Sequence, residues 1–278
     1  MKLSIITVNL NNAGGLQKTI ESVVTQTWLD FELIIVDGDS TDGSVEVIQQ
    51  FNDSAIPQFH WVSEPDSGVY QAMNKGIRMA QGEYLLFLNS GDFLVDSNVL
   101  SQVFKFGFSA DILCGKCRVS DKENIVFITD PPEVLSFGNF YKKTIAHQST
   151  IIKKTLFEQF GLYREDLKLM SDWEFWIRTI ILGYASTIKV DTIIADYNLD
   201  GMSSNKNNFK LSEKECELVY NDLKLKNIIT DYIYREKKDN EMEIAYWMKS
   251  KQVLYKPIQF IFFLAKRVSK IKKKWFKA

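Results

Sequence analysis

The chain has 278 residues, 45% of them hydrophobic and 25% charged, with 14 Gly and 5 Pro, a length and composition that fit one large soluble domain or a domain with an appendage and exclude a disordered or fibrous chain. Its net charge of −1 conceals an asymmetry: residues 251–278 hold nine of the 34 Lys and Arg and none of the 35 Asp and Glu, so residues 1–250 carry −10. An acidic body argues against nucleic acid as a partner, while a basic end suggests contact with something anionic.

The opening segment, MKLSIITVNLNN, has too short an apolar run for a secretory signal and no small-residue cleavage pattern. No run of about 18 apolar residues follows, so no segment is expected to span a bilayer and a cytoplasmic location is expected. From residue 3 onward, short apolar runs alternate with helical patterns. LSIITV (3–8) precedes a helix to about Gln26, FELIIV (31–36) a helix from about Asp42 to Phe51, FHWV (59–62) a helix from about Gly68 to Ala80, and YLLFL (84–88) a helix near Ser97 to Phe106. Strands separated by helices of this length imply right-handed crossovers and an α/β fold with a mostly parallel central sheet flanked by helices.

In such sheets ligands bind beyond the carboxyl ends of the strands, and polar residues collect there. Asn9, Asn11 and Asn12 follow the first run; Asp37, Asp39, Ser40 and Asp42 the second; Glu64, Asp66 and Ser67 the third; Asn89, Ser90 and Asp92 the fourth. Any one of these loops could be explained by helix capping. Four on one sheet edge point instead to a ligand site.

Past residue 110 the alternation loosens. DILCGKCRV reads as a strand that puts Cys114 and Cys117 on opposite faces, and with three Cys and two His in the chain neither a zinc site nor a disulfide framework is expected. ENIVFI (123–128) and TIAHQSTIIK (144–153) read as further strands, SDWEFWIRTIILG (171–183) as an amphipathic helix, 197–208 as loop, and 209–250 as charged helices. In the final segment a helical wheel gathers Lys266, Lys270, Lys273, Lys274 and Lys277 on one side and Ile261, Leu264, Val268, Ile271 and Trp275 on the other. A basic amphipathic helix of this kind suits an anionic membrane surface, although docking on the protein body would use the same apolar stripe.

The first turn reads NLNNAGG and lacks the GxGxxG of dinucleotide binders, and no Walker loop occurs. The ordered blocks SIITVNLNNAGGLQKTIESVVTQT, FELIIVDGDSTDGS, SEPDSGVYQAMNKGIRMAQGEYLLFLNSGD, HQSTIIKK and SDWEFWIR resemble family 2 glycosyltransferases of the GT-A fold, in particular bacterial colanic-acid and exopolysaccharide types. The resemblance spans roughly residues 3–183. It implies a glycosyltransferase domain over 1–208, with a nucleotide-sugar half to about residue 110 and an acceptor half to 208, and a helical C-terminal extension over 209–278.

The same resemblance implies an inverting transfer from a nucleotide-diphosphate sugar, usually a UDP-sugar, to a glycan or lipid-linked acceptor, peripheral to the inner membrane face and assisted by Mg²⁺ or Mn²⁺. Thr7 and Asn9 would line the nucleotide site with Asp37 or Asp39 reading base or ribose, Asp37 being preferred. Asp66, Gly68 and Asn74 would lie beside the donor, with the helix start at Gly68 offering N–H groups to negative charge. Asn89, Ser90, Gly91 and Asp92 occupy the position of the family's metal signature, in which only Asp92 keeps a charge. Asn89 offers an amide oxygen and Ser90 a donor contact. Since Mg²⁺ fills its shell largely with phosphate and water oxygens, one carboxylate suffices. Asp172 takes the place of the base, with Ser171 either in a Glu position or capping the helix, and His147 falls near the diphosphate or acceptor. Glu174, two residues on, cannot share a face with Asp172. A nucleotidyltransferase or a non-catalytic sugar-nucleotide binder are the alternatives to this reading.

Overall fold

The computed structural model describes residues 1–51, 58–105, 107, 109–121, 124–141, 143–199 and 208–250. Strand β1 (Leu3–Asn9) leads through helix α1 (Ala13–Val24) to β2 (Phe31–Asp37), α2 (Ser44–Gln50), β3 (Phe59–Ser63), α3 (Val69–Met79) and β4 (Tyr84–Phe87). These strands pair in parallel in the order β3-β2-β1-β4. Every residue of β1, β2 and β4 is buried, which explains why they read as unbroken apolar runs: helices cover both faces of a parallel sheet. In α1 the buried residues Leu16, Thr19, Ile20 and Val23 recur at helical spacing and form one core-facing stripe. Asn12 caps this helix by accepting the Gly15 N–H at 3.1 Å, which satisfies one of the four orphan donors of a helix start.

The second half contributes β5 (Phe93–Leu94), α4 (Val99–Phe104), β6 (Ile112–Asp121), β7 (Asn124–Thr129), α5 (Phe137–Phe140), β8 (Thr150–Lys153), α6 (Thr155–Phe160), α7 (Ser171–Trp176) and β9 (Thr187–Asn198). The sheet continues as β4-β8-β6-β9-β5, with β7 beside β6. Here the pairings β4–β8, β6–β8, β6–β7 and β5–β9 are antiparallel, and only β6–β9 is parallel. The unbroken parallel run is therefore the first half, where crossover helices separate the strands, and the second half is mixed.

Two expected elements differ in detail. The strand expected over 144–153 begins only at Thr150, because His147–Ser149 form a 3₁₀ turn closed by the Ser149 N–H to the Ala146 carbonyl at 3.1 Å. The helix expected over 171–183 is α-helical only to Trp176 and continues as a π-helical turn over Ile177–Leu182. Ser171 does not cap it. Its Oγ accepts the Arg164 N–H at 2.6 Å, and Met170 holds the cap position. The expected strand over DILCGKCRV forms as β6, with Cys114 and Cys117 both buried and free.

The chain divides into two compact units, Met1–Val219 and Tyr220–Ala278. Helix α8 (Phe209–Asp222) falls mainly in the first, and α9 (Lys226–Ser250) lies in the second. No helix among the described residues is long and apolar enough to cross a membrane. The basic stretch 251–278 lies outside the described residues.

Candidate active site

Register places Asn9, Asp37 and Ser63 on one rung across the carboxyl ends of β1, β2 and β3. Asp37 is fully buried there. Its Oδ1 accepts from Asn9 Nδ2 at 2.7 Å and Ser40 Oγ at 2.6 Å, and its Oδ2 from the Ser40 N–H at 2.9 Å and Ser63 Oγ at 2.7 Å. Burial raises the carboxyl, yet the donors from Ser40, Ser63 and Asn9 together outweigh it and hold Asp37 below the usual aspartate value.

Two donors thus meet each oxygen of Asp37. In this structure Asp37, the residue preferred for the base or ribose, knits the loops together. Asp39 is the exposed carboxylate of the pair, held in left-handed backbone at φ 66°. A depressed carboxylate adds stability above its unfolded value, and that contribution is lost as pH falls through the folded value. At pH 7, Asp37→Asn should therefore cost about 2–3 kcal/mol, the scale of hydrogen bonds to a buried charge. The gap between wild type and variant in urea midpoint should narrow as pH drops below about 4, near the unfolded aspartate value; a gap independent of pH would show that the charge does not matter.

The neighbouring loop residues divide similarly. Thr7 is buried with Oγ1 lacking a partner, as is Oδ1 of Asn9, so both present unused polar atoms beneath the strand ends. Asp66 accepts the Gly68 N–H at 2.9 Å, and Gln71 accepts the Ser67 N–H at 2.7 Å. In the turn into α3 the Gly68 and Ser67 N–H groups are thus taken by these side chains. Asn74, expected beside the donor, is engaged inside the protein. It is buried, its Nδ2 donates to the Tyr163 carbonyl and to Glu165 at 2.9 Å each, and its Oδ1 accepts the Tyr163 N–H at 3.1 Å. Both ends of the amide serve the fold.

A second group surrounds the turn after β4. The Ser90 N–H bonds the Val8 carbonyl at 3.0 Å, which carries the chain on beside β1, and Asn12 Nδ2 donates to the Ser90 carbonyl at 3.0 Å. Gly91 follows at φ 104°, a conformation open to glycine at little cost. Asp92 is turned inward. It receives the Asn198 N–H at 3.3 Å and a hydrogen bond from the Gln148 side chain. Burial pushes its carboxyl up to about 7, against the lowering influence of His147, Asn198 and Gln148.

The 3₁₀ turn carries His147 into the same group. Its Nδ1 lies 3.2 Å from Asp172 Oδ2 and its Nε2 lies 3.4 Å from Asn89 Nδ2. A ring protonated at Nδ1 satisfies both contacts, donating to Asp172 and accepting from Asn89. Burial lowers the imidazole, but the hydrogen bond and charge of Asp172, with the charge of Asp92, more than compensate and leave it raised. Asp172, at the start of α7, also accepts the Trp173 N–H at 2.8 Å and the Tyr70 hydroxyl at 3.0 Å. Glu174 faces elsewhere, in a two-pronged pair with Arg178 at 2.9 Å per contact.

Asn89 Oδ1 is buried without a partner. Together with the Asp92 carboxylate it offers hard oxygen donors, and among the described residues no group of three or more His, Cys, Asp or Glu stands ready to enclose a metal. Such a set fits Mg²⁺ or Mn²⁺ held largely by phosphate and water, and does not fit a thiolate or imidazole metal. Tyr70 and Gln148 were not among the expected residues. Tyr70 looks like core on an amphipathic helix, and only folding brings it to a residue 102 positions away.

Comparison with known proteins agrees with this architecture. Residues 4–167 match the family described as Glycosyl transferase family 2. A "PGL/p-HBAD biosynthesis glycosyltransferase" of Mycobacterium bovis is 32% identical over 208 residues, covering 73% of this chain and 78% of the relative. The "putative teichuronic acid biosynthesis glycosyltransferase TuaG" of Bacillus subtilis is 27% identical, covering 76% and 84%. Among solved structures, S. aureus TarS 1-349 in complex with UDP-GlcNAc is similar at TM-score 0.59 and 20% identity over 71% of this chain; the likeness spans 58% of that protein, less than two thirds of its length. At that identity it speaks to the fold alone.

Proposed function

Because this chain belongs to glycosyl transferase family 2, we propose that it transfers a sugar with inversion from a UDP-sugar to a glycan or lipid-linked acceptor in surface polysaccharide or glycolipid biosynthesis. The observation that carries this reading is the position of Asp172, held between Tyr70 and His147 and joined through His147 to Asn89 in the loop after β4. A carboxylate in that place can take the proton of an acceptor hydroxyl while the oxygen attacks the anomeric carbon and the bond to the diphosphate breaks on the opposite face. The freed electron pair leaves with the diphosphate.

On the donor side, Asp39 supplies the free carboxylate for base or ribose, and the unpartnered polar atoms of Thr7 and Asn9 line the floor beneath. Asp92 and Asn89 are the residues to hold Mg²⁺ or Mn²⁺, which when bound would neutralise charge on the departing diphosphate. The glycolipid and teichuronic acid biosynthesis named for the two glycosyltransferase relatives support the acceptor class. The basic amphipathic pattern of residues 258–278 supports an anionic membrane surface as a second partner.

Titration of UDP with and without Mn²⁺ tests the donor side. Wild type should bind about tenfold or more tightly with the cation, an effect of the order expected when one carboxylate and a diphosphate share a hard ion. Asp92→Ala should bind UDP equally in both conditions. A wild-type affinity indifferent to Mn²⁺ would remove the cation from the reading.

A further inference from the structure

The geometry points to Tyr70 as a positioning residue that selects which oxygen of Asp172 receives the acceptor's proton. The inference rests on Asp172 being the base. It begins with the lone pairs: a carboxylate oxygen has two. On Oδ1 both are taken, by the Trp173 N–H at 2.8 Å and the Tyr70 hydroxyl at 3.0 Å. On Oδ2 the described residues supply one contact, His147 Nδ1 at 3.2 Å. The open lone pair is therefore on Oδ2, and the proton broken from the acceptor O–H goes there as the new bond to the anomeric carbon forms.

Trp173 alone could not impose this choice, because the backbone N–H comes from the adjacent residue and a carboxylate rotated about χ2 can offer it either oxygen. Tyr70 comes from α3, a different element, and is itself fixed. Its ring lies 5.7 Å from that of Tyr163, and its hydroxyl is also 2.8 Å from the Leu169 carbonyl. Burial, followed by the charge of Asp172, holds the phenol well above its usual value, so it remains an O–H donor at any working pH. One hydroxyl facing two acceptors can serve both ends of the reaction. It donates to the carboxylate before transfer and turns to the Leu169 carbonyl once Asp172 carries a proton.

Tyr70→Phe keeps the ring and deletes the donor. The expected result is a kcat about ten- to a hundredfold lower, the scale of one lost hydrogen bond to a charged group, with donor KM within about twofold and a melting temperature within a few degrees of wild type. Tyr70→Met, a second replacement without an O–H, should show the same split. Asp172→Asn is measured alongside. If it is inactive while Tyr70→Phe keeps a kcat within about twofold of wild type, Tyr70 has no positioning role and the base stands. If Asp172→Asn stays active, the base reading fails and takes this inference with it. A fall in kcat accompanied by a tenfold rise in donor KM or loss of the thermal transition in both Tyr70 variants assigns the residue to the scaffold and overturns the proposal.

Discussion

Asp172→Asn is expected to fold as wild type, bind UDP with unchanged affinity and lose transfer by at least about a hundredfold, towards 10⁴, the range covered by general-base catalysis. Folding should survive because the amide is isosteric and each present contact has an answer. The amide oxygen can accept from the Trp173 N–H and Tyr70, where Oδ1 now does. The amide NH₂ can donate to His147 Nδ1 once the ring shifts its proton to Nε2 and the Asn89 amide turns its oxygen to accept it. Donor affinity should survive because the residues assigned to the nucleotide sit on the ends of β1 and β2, not on α7. What the variant lacks is a basic lone pair. Single-turnover transfer separates this from slow product release, and a variant that retains the wild-type rate would mean that another group takes the proton.

Glu215→Ala is expected to lower stability by about 3 kcal/mol, which for a chain of this size corresponds to a melting temperature roughly 5–10 °C lower. Glu215 lies on α8 and is nearly buried. Its carboxylate accepts three successive backbone N–H groups, of Lys168 at 2.7 Å and of Leu169 and Met170 at 3.0 Å each. These residues form the approach to α7, and Leu169 also supplies the carbonyl that faces Tyr70. Removing the carboxylate leaves three donors unpaired and frees the segment that aims Asp172, so kcat should fall together with stability. Glu215→Gln should recover only part of the loss, since its NH₂ opposes donors. Differential scanning calorimetry with parallel rate measurements would check this, and an unchanged thermal transition would exclude Glu215 as the anchor.

The sequence revealed more of the fold than of the site. Strands β1 to β4 and the intervening helices are visible because parallel strands buried on both faces must be apolar throughout, and the helices between them must be amphipathic. The 3₁₀ turn at His147 was hidden inside a stretch, TIAHQSTIIK, that continues directly into β8, where sequence pattern has no way to mark a change of backbone. Within the site, the blocks that carry Asp172, His147 and the loop after β4 fold against one another, but residue type was a poor guide to direction. Asp37 and Asn74 are polar residues in the expected blocks, yet both spend their hydrogen bonds inside the protein. Glu215 stands among exposed charges on α8 and looks like solvated surface until the backbone of 168–170 folds against it. Tyr70 and Gln148 escaped notice for the same reason: their partners are distant in sequence.

The position of β4 has a consequence for how the enzyme can be dissected. One edge of β4 completes the parallel ladder with β1, in which Leu3, Ser4, Ile5 and Ile6 face Tyr84, Leu85, Leu86 and Phe87. Its other edge opens the antiparallel ladder with β8, through Tyr84–Lys153, Leu85–Ile152 and Leu86–Ile151. The two halves of the sheet therefore do not abut as modules that could be expressed apart or exchanged between relatives. Cutting between them would leave β4 with a bare row of N–H and C=O groups beside wholly apolar side chains, an aggregation-prone edge. The strands that follow β4 are part of the solubility of the strands before it, and chimeras of this enzyme should be joined outside the sheet.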